Sequence, residues 1–252
     1  MNESNTTKNN TITIKFADVI VSVDFIFDKT INYFTKYITT EPAQFHIIST
    51  RENLKQQYDS WLKSATKEEK SAGITKYALE LAAVHYQISE QIIKRGYLLF
   101  HGSALAVDGN TYIFTAPSGT GKSTHASLWR EYLGDKVTMV NDDKPYLFYK
   151  DNKTYACGTP WDGKHRLSKD VSLPVKAICL LERGEKNHIE EITPDEAFET
   201  MFKQSLHFDT VENEEIVLNV IDQVMRSVRF YRLTCNMELD AAKAAYEKLI
   251  LS

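Results

Sequence analysis

A lysine and a serine directly behind two closely spaced glycines form the segment of this sequence best suited to chemistry. Residues 116–123 read APSGTGKS. Gly119 and Gly121 allow backbone conformations in which successive N–H groups turn inward around an anion. Lys122 supplies a mobile cation for outer phosphate oxygens, and the hydroxyl of Ser123 can ligate Mg²⁺. The spacing is that of a Walker A motif, or P-loop, and predicts binding of nucleotide phosphates.

The flanking elements have the order that this loop requires. A short apolar run, residues 112–115, reads as a buried strand, and a helical pattern follows Gly121 and ends near Leu133. The positive end of that helix then faces the bound phosphate. An ordinary Gly/Ser-rich turn is the alternative, and Ala116 stands where the motif usually has its first glycine. The residues predicted to contact the nucleotide are Pro117, Ser118, Gly119, Thr120, Gly121, Lys122, Ser123 and Thr124.

Two adjacent carboxylates follow the next predicted strand, residues 137–140. Asp142 and Asp143 come at the strand end where P-loop proteins hold Mg²⁺, so one carboxylate is expected to bind the metal with Ser123. The other could take a proton from an attacking hydroxyl. The order of the residues does not decide which aspartate has which role. A solvated acidic turn is the alternative.

Three further side chains are candidates. His101 lies in an apolar segment, residues 98–107, that we predict to be one strand leading into the P-loop hairpin. A lone histidine there is more often a core residue than a catalytic one. Lys164 and Arg166 fall in a glycine-containing loop, where they could either bind phosphate oxygens or be exposed.

Composition limits the classes of function. The chain has 252 residues and a net charge of −4, so no basic surface for nucleic acid or membrane is evident. Its three cysteines follow no metal-ligand spacing, and no apolar run is long enough to span a bilayer. The polar start is unlike a signal peptide. We therefore expect a cytoplasmic protein, and a homo-oligomer is left open.

Two regions are expected. Residues 1–95 read as a smaller N-terminal α/β region without a chemical motif, suited to packing or to a partner surface. Within it, a long helical segment, residues 51–95, is expected to be interrupted by the charged run 67–70 and then by Gly73. Residues 96–252 form the predicted nucleotide-binding domain, with Asn236 as the N-cap of its closing helix. Turn signals on both sides of the P-loop predict hairpins, and hence a mixed sheet rather than a purely parallel one.

The order of the motifs resembles a known superfamily. His101-Gly-Ser-Ala, the P-loop and Asp142-Asp143 are similar to HPr kinase/phosphorylase and PEP carboxykinase, and most similar to small HPr-kinase-like proteins, including kinases of lasso-type peptides. The resemblance covers residues 97–252. It implies a PEP carboxykinase-like P-loop domain in which His101 assists the catalytic carboxylate. It also implies one metal-facing and one basic aspartate, and a Lys164 that contacts the γ-phosphate.

The leading functional prediction is an ATP-dependent kinase with Mg²⁺ as cofactor, acting on a hydroxyl. The resemblance implies that this hydroxyl belongs to a serine or threonine of a small protein or peptide. A small-molecule kinase and a nucleotide-binding regulatory module with little catalysis are the alternatives. Carboxykinase chemistry is disfavoured because Asp170 falls where those enzymes carry an arginine.

Overall fold

The computed structural model describes residues 10–163 and 165–251 of an α/β protein. Contacts divide the chain into two compact units, the first ending at Ser89 and the second beginning at Glu90. The division falls inside a helix, Lys76–Ile93, six residues before the boundary expected from the sequence.

The first unit contains a small mixed sheet. In the part of the chain that the structure describes, this sheet has three strands in the order β1-β2-β3, with β1 and β2 antiparallel and β2 and β3 parallel. Its strands are β1 Thr11–Phe16, β2 Val19–Asp24 and β3 Phe45–Ile48. Its helices are α1 Asp28–Ile31 (continued by a 3₁₀ segment, Asn32–Tyr37), α2 Arg51–Ser64, α3 Lys67–Ala72 and α4 Lys76–Ile93, which continues into the second unit.

The charged run 67–70 does not interrupt a helix, so this part of the prediction was wrong, whereas the break predicted at Gly73 is present between α3 and α4. It forms the first turn of α3, because Thr66 and Glu69 make a reciprocal capping box that satisfies the free N–H groups at the helix start. The break lies just before it, where Ala65 adopts an extended conformation after α2.

The second unit is built on a larger sheet. Its strands are β4 Leu98–Leu99, β5 Ser103–Val107, β6 Asn110–Thr115, β7 Val137–Asn141, β8 Tyr146–Lys150, β9 Lys153–Cys157, β10 Ser172–Arg183, β11 His188–Ile192 and β12 Arg229–Cys235. Its helices are α5 Lys122–Leu133 (followed by a 3₁₀ turn, Gly134–Lys136), α6 Pro194–Gln204, α7 Val211–Ser227 and α8 Leu239–Tyr246, which is continued by a π-helical turn, Glu247–Leu251.

Strand directions bring several strand ends to one edge of this sheet. The order is β4-β8-β9-β10-β6-β5-β7, with β12 beside β10 and β11 beside β12. β6 is parallel to β10 and antiparallel to β5, and β7 is also antiparallel to β5. The prediction of a mixed sheet is therefore confirmed. The same pattern means that β6, β7 and β10 end at the edge where β5 begins.

The core fixes α5 against the sheet. Trp129 of α5 is fully buried, with its ring centroid 5.1 Å from that of Phe114 on β6 and 6.2 Å from that of Tyr246 on α8. Burying two large aromatic side chains from neighbouring elements contributes several kcal/mol, at roughly 1.5–3 kcal/mol for each. The start of α5, which follows the glycine loop, is held in place by this packing.

The segment Leu98–Val107 is not one strand, which corrects the sequence prediction. It divides into β4 and β5, and His101 lies in the break. There the N–H groups of Phe100, His101 and Gly102 donate to three separate carbonyls, those of Pro145, Gln204 and Asp143. A Cβ on Gly102 would lie 2.9 Å from Cγ2 of Ile113, so a glycine fits this close approach to β6.

One smaller prediction, near the C-terminus, also needs correction. Asn236 does not cap α8, because the helix begins at Leu239 with Glu238 as its N-cap. The Oδ1 of Asn236 instead accepts a hydrogen bond from the N–H of Glu238, at 3.0 Å, in the turn before the helix. Strand β11 had not been predicted, since its sequence HIEEI carries little apolar alternation.

Candidate active site

The glycine loop between β6 and α5 is open towards solvent where a phosphate would lie. Gly119 and Gly121 adopt positive φ angles of 77° and 121°, and the space on the Cβ side of each is empty. A side chain would strain either conformation. Gly121 is the N-cap of α5, and no side chain caps this helix start. The free N–H groups of its first turn are thus available to an anion.

Lys122, the first residue of α5, is buried and turned back onto the loop. Its Nζ donates to the carbonyl oxygen of Ala116, at 2.8 Å, and to that of Pro117, at 3.4 Å. Burial lowers the pKa of Lys122, and the nearby charge of Asp143 opposes that shift. The lysine charge is therefore held within the loop and is only partly solvated.

Arg183 holds the outer side of the same loop. It is the last residue of β10, and its guanidinium donates to the carbonyl oxygens of Gly119 and Thr120. This arginine was not among the residues predicted from the sequence to form the site. The local pattern could not have revealed the contact, since 63 residues separate Arg183 from Thr120.

Asp142 is buried directly after β7. Its Oδ1 accepts a hydrogen bond from the N–H of Gly163, at 2.5 Å, and a Cβ at position 163 would come within 2.6 Å of that oxygen. Burial raises the pKa of Asp142, although the Gly163 hydrogen bond acts in the opposite direction. Asp142 and Ser123 both line a cavity of about 230 Å³ on the α5 side of the sheet edge.

Asp143 lies in a turn that Asn141 organises. The side-chain oxygen of Asn141 accepts from the N–H groups of Asp143 and Lys144, at 2.9 and 2.7 Å. The amide nitrogen of Asn141 donates to Oγ1 of Thr159, at 3.0 Å. The turn thereby keeps the half-buried carboxylate of Asp143 at the sheet edge, with its Oδ2 3.7 Å from Nζ of Lys144.

His101 faces Asp143 across a short gap. Its Nε2 lies 3.6 Å from Oδ1 of Asp143, and its Nδ1 lies 2.8 Å from Oε1 of Gln204. Burial, together with the positive charge of Lys122, lowers the pKa of His101, while Asp143 and Gln204 act to raise it. The net direction favours a neutral imidazole near neutral pH.

The structure brings most of the residues singled out in the sequence to the same sheet edge. Asp143 acts electrostatically on both Lys122 and His101, and Ser123 shares a cavity with Asp142. Lys164 lies outside the described residues. The Nε of Arg166 lies 2.9 Å from Oδ1 of the buried Asp162, which makes this arginine part of an ion pair in its own loop. Four residues at this edge were not predicted from the sequence: Asn141, Gly163, Arg183 and Gln204.

The described part of the chain contains neither a cluster of metal-ligating side chains nor a helix suited to a membrane. No group of three or more His, Cys, Asp or Glu side chains within residues 10–163 and 165–251 could hold a metal ion by itself. No helix in the same ranges is long and apolar enough to cross a membrane.

Taken together, the fold and site define an α/β protein with a mixed sheet, a glycine loop at a helix N-terminus and paired carboxylates beside it. The chain belongs to the family described as SynChlorMet cassette protein ScmC, whose model matches residues 67–240. Among proteins with curated descriptions, none matches the chain.

One solved structure to which the chain is similar is the HPr(Ser) kinase/phosphatase from Coxiella burnetii. The two are 13% identical, and the match covers 51% of this chain and 91% of that chain, with a TM-score of 0.28. Similarity at this level is too low to support an argument about the site.

Proposed function

We propose that this protein is an ATP-dependent kinase that transfers the γ-phosphoryl group to a hydroxyl, with a serine or threonine of a small protein or peptide as acceptor. The observation that carries the proposal is the placement of Lys122, Asp143 and His101 within electrostatic reach of one another beside an open glycine loop. Phosphoryl transfer needs positioning, positive charge near the phosphates and a group that accepts a proton. The acceptor class rests on the resemblance of the motif order.

The residues present fit a nucleotide with Mg²⁺. The open N-terminus of α5 and the glycines of the loop would hold the phosphates, with Lys122 as the cation. Ser123 and Asp142 would hold the Mg²⁺, which in kinase sites uses one or two carboxylates together with substrate phosphates and water. Oδ2 of Asp142 has no hydrogen-bond partner among the described residues, so that oxygen is available. The metal would neutralise phosphate charge as it develops.

The two aspartates have different surroundings, and each set of surroundings suits a different proposed role. Asp142 is 6% exposed and faces the cavity that Ser123 also lines, which suits a metal ligand. Asp143 is half-buried and faces His101, which suits the group that removes the acceptor proton. When the hydroxyl gives its proton to Asp143, the electron pair of its O–H bond stays on the oxygen and forms the new bond to the γ-phosphorus. The bond from that phosphorus to the bridging oxygen of ATP breaks, and ADP leaves.

The test begins with nucleotide binding, because it needs no acceptor. Lys122→Ala should weaken binding of ATP with Mg²⁺ by roughly ten- to a hundredfold, as expected when a charged hydrogen bond of about 1.5–3 kcal/mol is lost. Isothermal titration calorimetry measures this loss. Lys136→Ala, at an exposed lysine just beyond α5, is the matched control and should bind normally.

Transfer itself is read by mass spectrometry. Candidate peptides that contain serine or threonine are incubated with the protein, ATP and Mg²⁺, and the gain of one phosphate is measured. The parent should phosphorylate a subset of them, and Asp143→Asn should not. Equal nucleotide affinity in the parent and Lys122→Ala, or transfer that survives in Asp143→Asn, would contradict the proposal.

A further inference from the structure

Gln204, the last residue of α6, is bound by its backbone to the segment that carries His101. The N–H of His101 donates to the carbonyl oxygen of Gln204, at 2.8 Å. The N–H of Leu206 donates to the carbonyl oxygen of Leu99, at 3.0 Å. Phe100 and Ser205 form a β-bridge between these two bonds. The position of Gln204 beside the histidine is therefore set by main-chain pairing across 103 residues, and not by a side-chain contact alone.

The side chain of Gln204 acts on a specific ring nitrogen. Its Oε1 lies 2.8 Å from Nδ1 of His101. An amide oxygen can only accept a hydrogen bond, so Nδ1 must carry the proton in this contact. In a neutral imidazole the other nitrogen, Nε2, then keeps its lone pair and can only accept.

The free nitrogen is aimed at the carboxylate proposed as the base. Nε2 of His101 lies 3.6 Å from Oδ1 of Asp143, which is longer than a direct hydrogen bond. In this tautomer two acceptors face each other, so a proton delivered between them can be shared by both. In the other tautomer Nε2 would donate to Asp143 and would compete with an incoming hydroxyl for the same oxygen.

We propose that Gln204 is a positioning residue that holds His101 in the tautomer protonated on Nδ1, so that Nε2 remains an acceptor facing Asp143. This inference rests on the proposed function for its consequence, though not for its test. In the transfer step the acceptor O–H bond breaks, its proton moves to Oδ1 of Asp143, and its oxygen bonds to the γ-phosphorus as the bond to the leaving ADP breaks. Nε2 of His101 then accepts a hydrogen bond from the protonated carboxyl.

The orientation of the Gln204 side-chain amide decides which tautomer of His101 it stabilises. With its –NH₂ group towards the ring, Gln204 would donate to Nδ1 and so favour a proton on Nε2. The two arrangements predict opposite tautomers for His101. Nitrogen NMR distinguishes these tautomers directly, because protonated and unprotonated ring nitrogens have well-separated ¹⁵N shifts.

The experiment uses the full chain labelled with ¹⁵N-histidine, without nucleotide, at a pH where the ring of His101 is neutral. Two-bond ¹H–¹⁵N correlation spectra are recorded for the parent, Gln204→Met and Gln204→Glu, and the His101 signals are assigned by their loss in His101→Gln. Lys203→Gln, at the preceding exposed position of α6, is the matched control. A thermal unfolding curve for each variant confirms that it is folded.

We expect a proton on Nδ1 in the parent, in the control and in Gln204→Glu, since a carboxylate also accepts from Nδ1. In Gln204→Met, which cannot accept this bond, the population with a proton on Nε2 should rise. A proton on Nε2 in the parent overturns the inference, whatever the variants do. An unchanged tautomer in a folded Gln204→Met overturns it as well.

Kinetics then connects the tautomer to the proposed function. On a verified acceptor, Gln204→Met should lower kcat roughly tenfold, a fraction of the general-base contribution, with an unchanged KM for ATP. Gln204→Glu should recover most of that loss. If the NMR result holds but no acceptor is phosphorylated by any form, the proposed function fails while the assigned tautomer stands. An unaltered kcat in Gln204→Met would show that the positioning of His101 by Gln204 does not contribute to transfer.

Discussion

Two neighbouring carboxylates at the end of β7 occupy different surroundings, and this difference has chemical consequences. Asp142 is buried, accepts a hydrogen bond from Gly163 and has a raised pKa because of its burial. Asp143 is half-buried and lies between the ring of His101 and the ammonium group of Lys144. A buried carboxylate becomes easier to keep ionised when a cation is bound beside it, whereas a partly solvated one can exchange protons with a substrate.

Replacing each aspartate by asparagine should therefore produce two distinct defects. Asp142→Asn should lose Mg²⁺-dependent ATP affinity as well as rate. Asp143→Asn should bind ATP with Mg²⁺ almost normally and lose about 10²–10⁴-fold in rate, the usual general-base contribution. Calorimetry with and without Mg²⁺, together with phosphate incorporation on a verified acceptor, measures both effects.

Asp170→Asn is a suitable control for these variants, since Asp170 is exposed and the sequence assigns it no role in transfer. It should behave as the parent in both assays. The division of roles would be wrong if the two asparagine variants lost Mg²⁺-dependent affinity and rate to the same extent. Parental rates in both would make the pair an acidic turn without catalytic function.

At the scale of single elements, α5 connects the glycine loop to the core through a buried histidine. His125 is 2% exposed, and its Nε2 accepts a hydrogen bond from Nε1 of Trp129, at 3.1 Å. Its ring also packs edge-on against Phe114, at 4.5 Å between centroids. Burial lowers the pKa of His125 to about 4. The helix start is thus held by a histidine that folds in its neutral form.

This histidine should make the protein sensitive to acid. Between pH 6.5 and about 4 the unfolded chain binds a proton that the folded chain does not, so stability is full above pH 6.5 and falls as the pH drops. The loss is on the order of 3 kcal/mol once the folded value is reached. In His125→Gln, the decrease in unfolding free energy between pH 7 and pH 4 should be smaller by a similar amount.

Urea unfolding at a series of pH values, in buffer without Mg²⁺, measures this difference. His188→Gln is the control, because the side chain of His188 is 70% exposed and has little burial to lose. Its acid profile should follow that of the parent. An identical profile in His125→Gln would show that His125 does not fold in the neutral form.

Local signals explain which elements could be predicted from the sequence. The turn before α5 is specified by Gly119 and Gly121, so it was predicted correctly. The start of α6 is specified just as locally, by the capping box of Thr193 and Glu196. The break at His101 was missed because its cause is not local. The apolar run continues through it, and the carbonyl oxygens that accept from its three N–H groups belong to Pro145, Gln204 and Asp143, all distant in the sequence.

The same limit applies to the candidate site. Lys122, Ser123 and the aspartate pair can be recognised because their spacing along the chain carries the chemistry. Gln204 and Arg183 reach the site from α6 and from the end of β10, and no spacing rule relates them to the loop. Residues that orient a site from distant elements become visible only when the strand order is known.

At the scale of the whole molecule, the chain consists of two units, and its family model covers them unequally. The matched residues, 67–240, begin at α3 of the first unit and include most of the second. The three-stranded sheet of the first unit lies before this range. The chain segment directly after β2, including α1, is held to α4 by Glu80, which is fully buried and accepts from the N–H groups of Ile26 and Phe27 and from the hydroxyl of Thr30.

Glu80→Gln should therefore destabilise the first unit selectively. Its amide nitrogen cannot accept a hydrogen bond, so at least one of the three donors loses its partner, at a cost of about 1–3 kcal/mol. Hydrogen exchange read by mass spectrometry should show faster exchange in residues 10–50. Protection of α5 and affinity for ATP should stay at parental values, because the replaced contacts all lie in the first unit.

Glu90→Gln, in the same helix but among the residues of the second unit, provides the comparison. If Glu80→Gln loosened α5 or weakened ATP binding as strongly as it loosened residues 10–50, the two units would unfold as one, and the first could not vary independently of nucleotide binding.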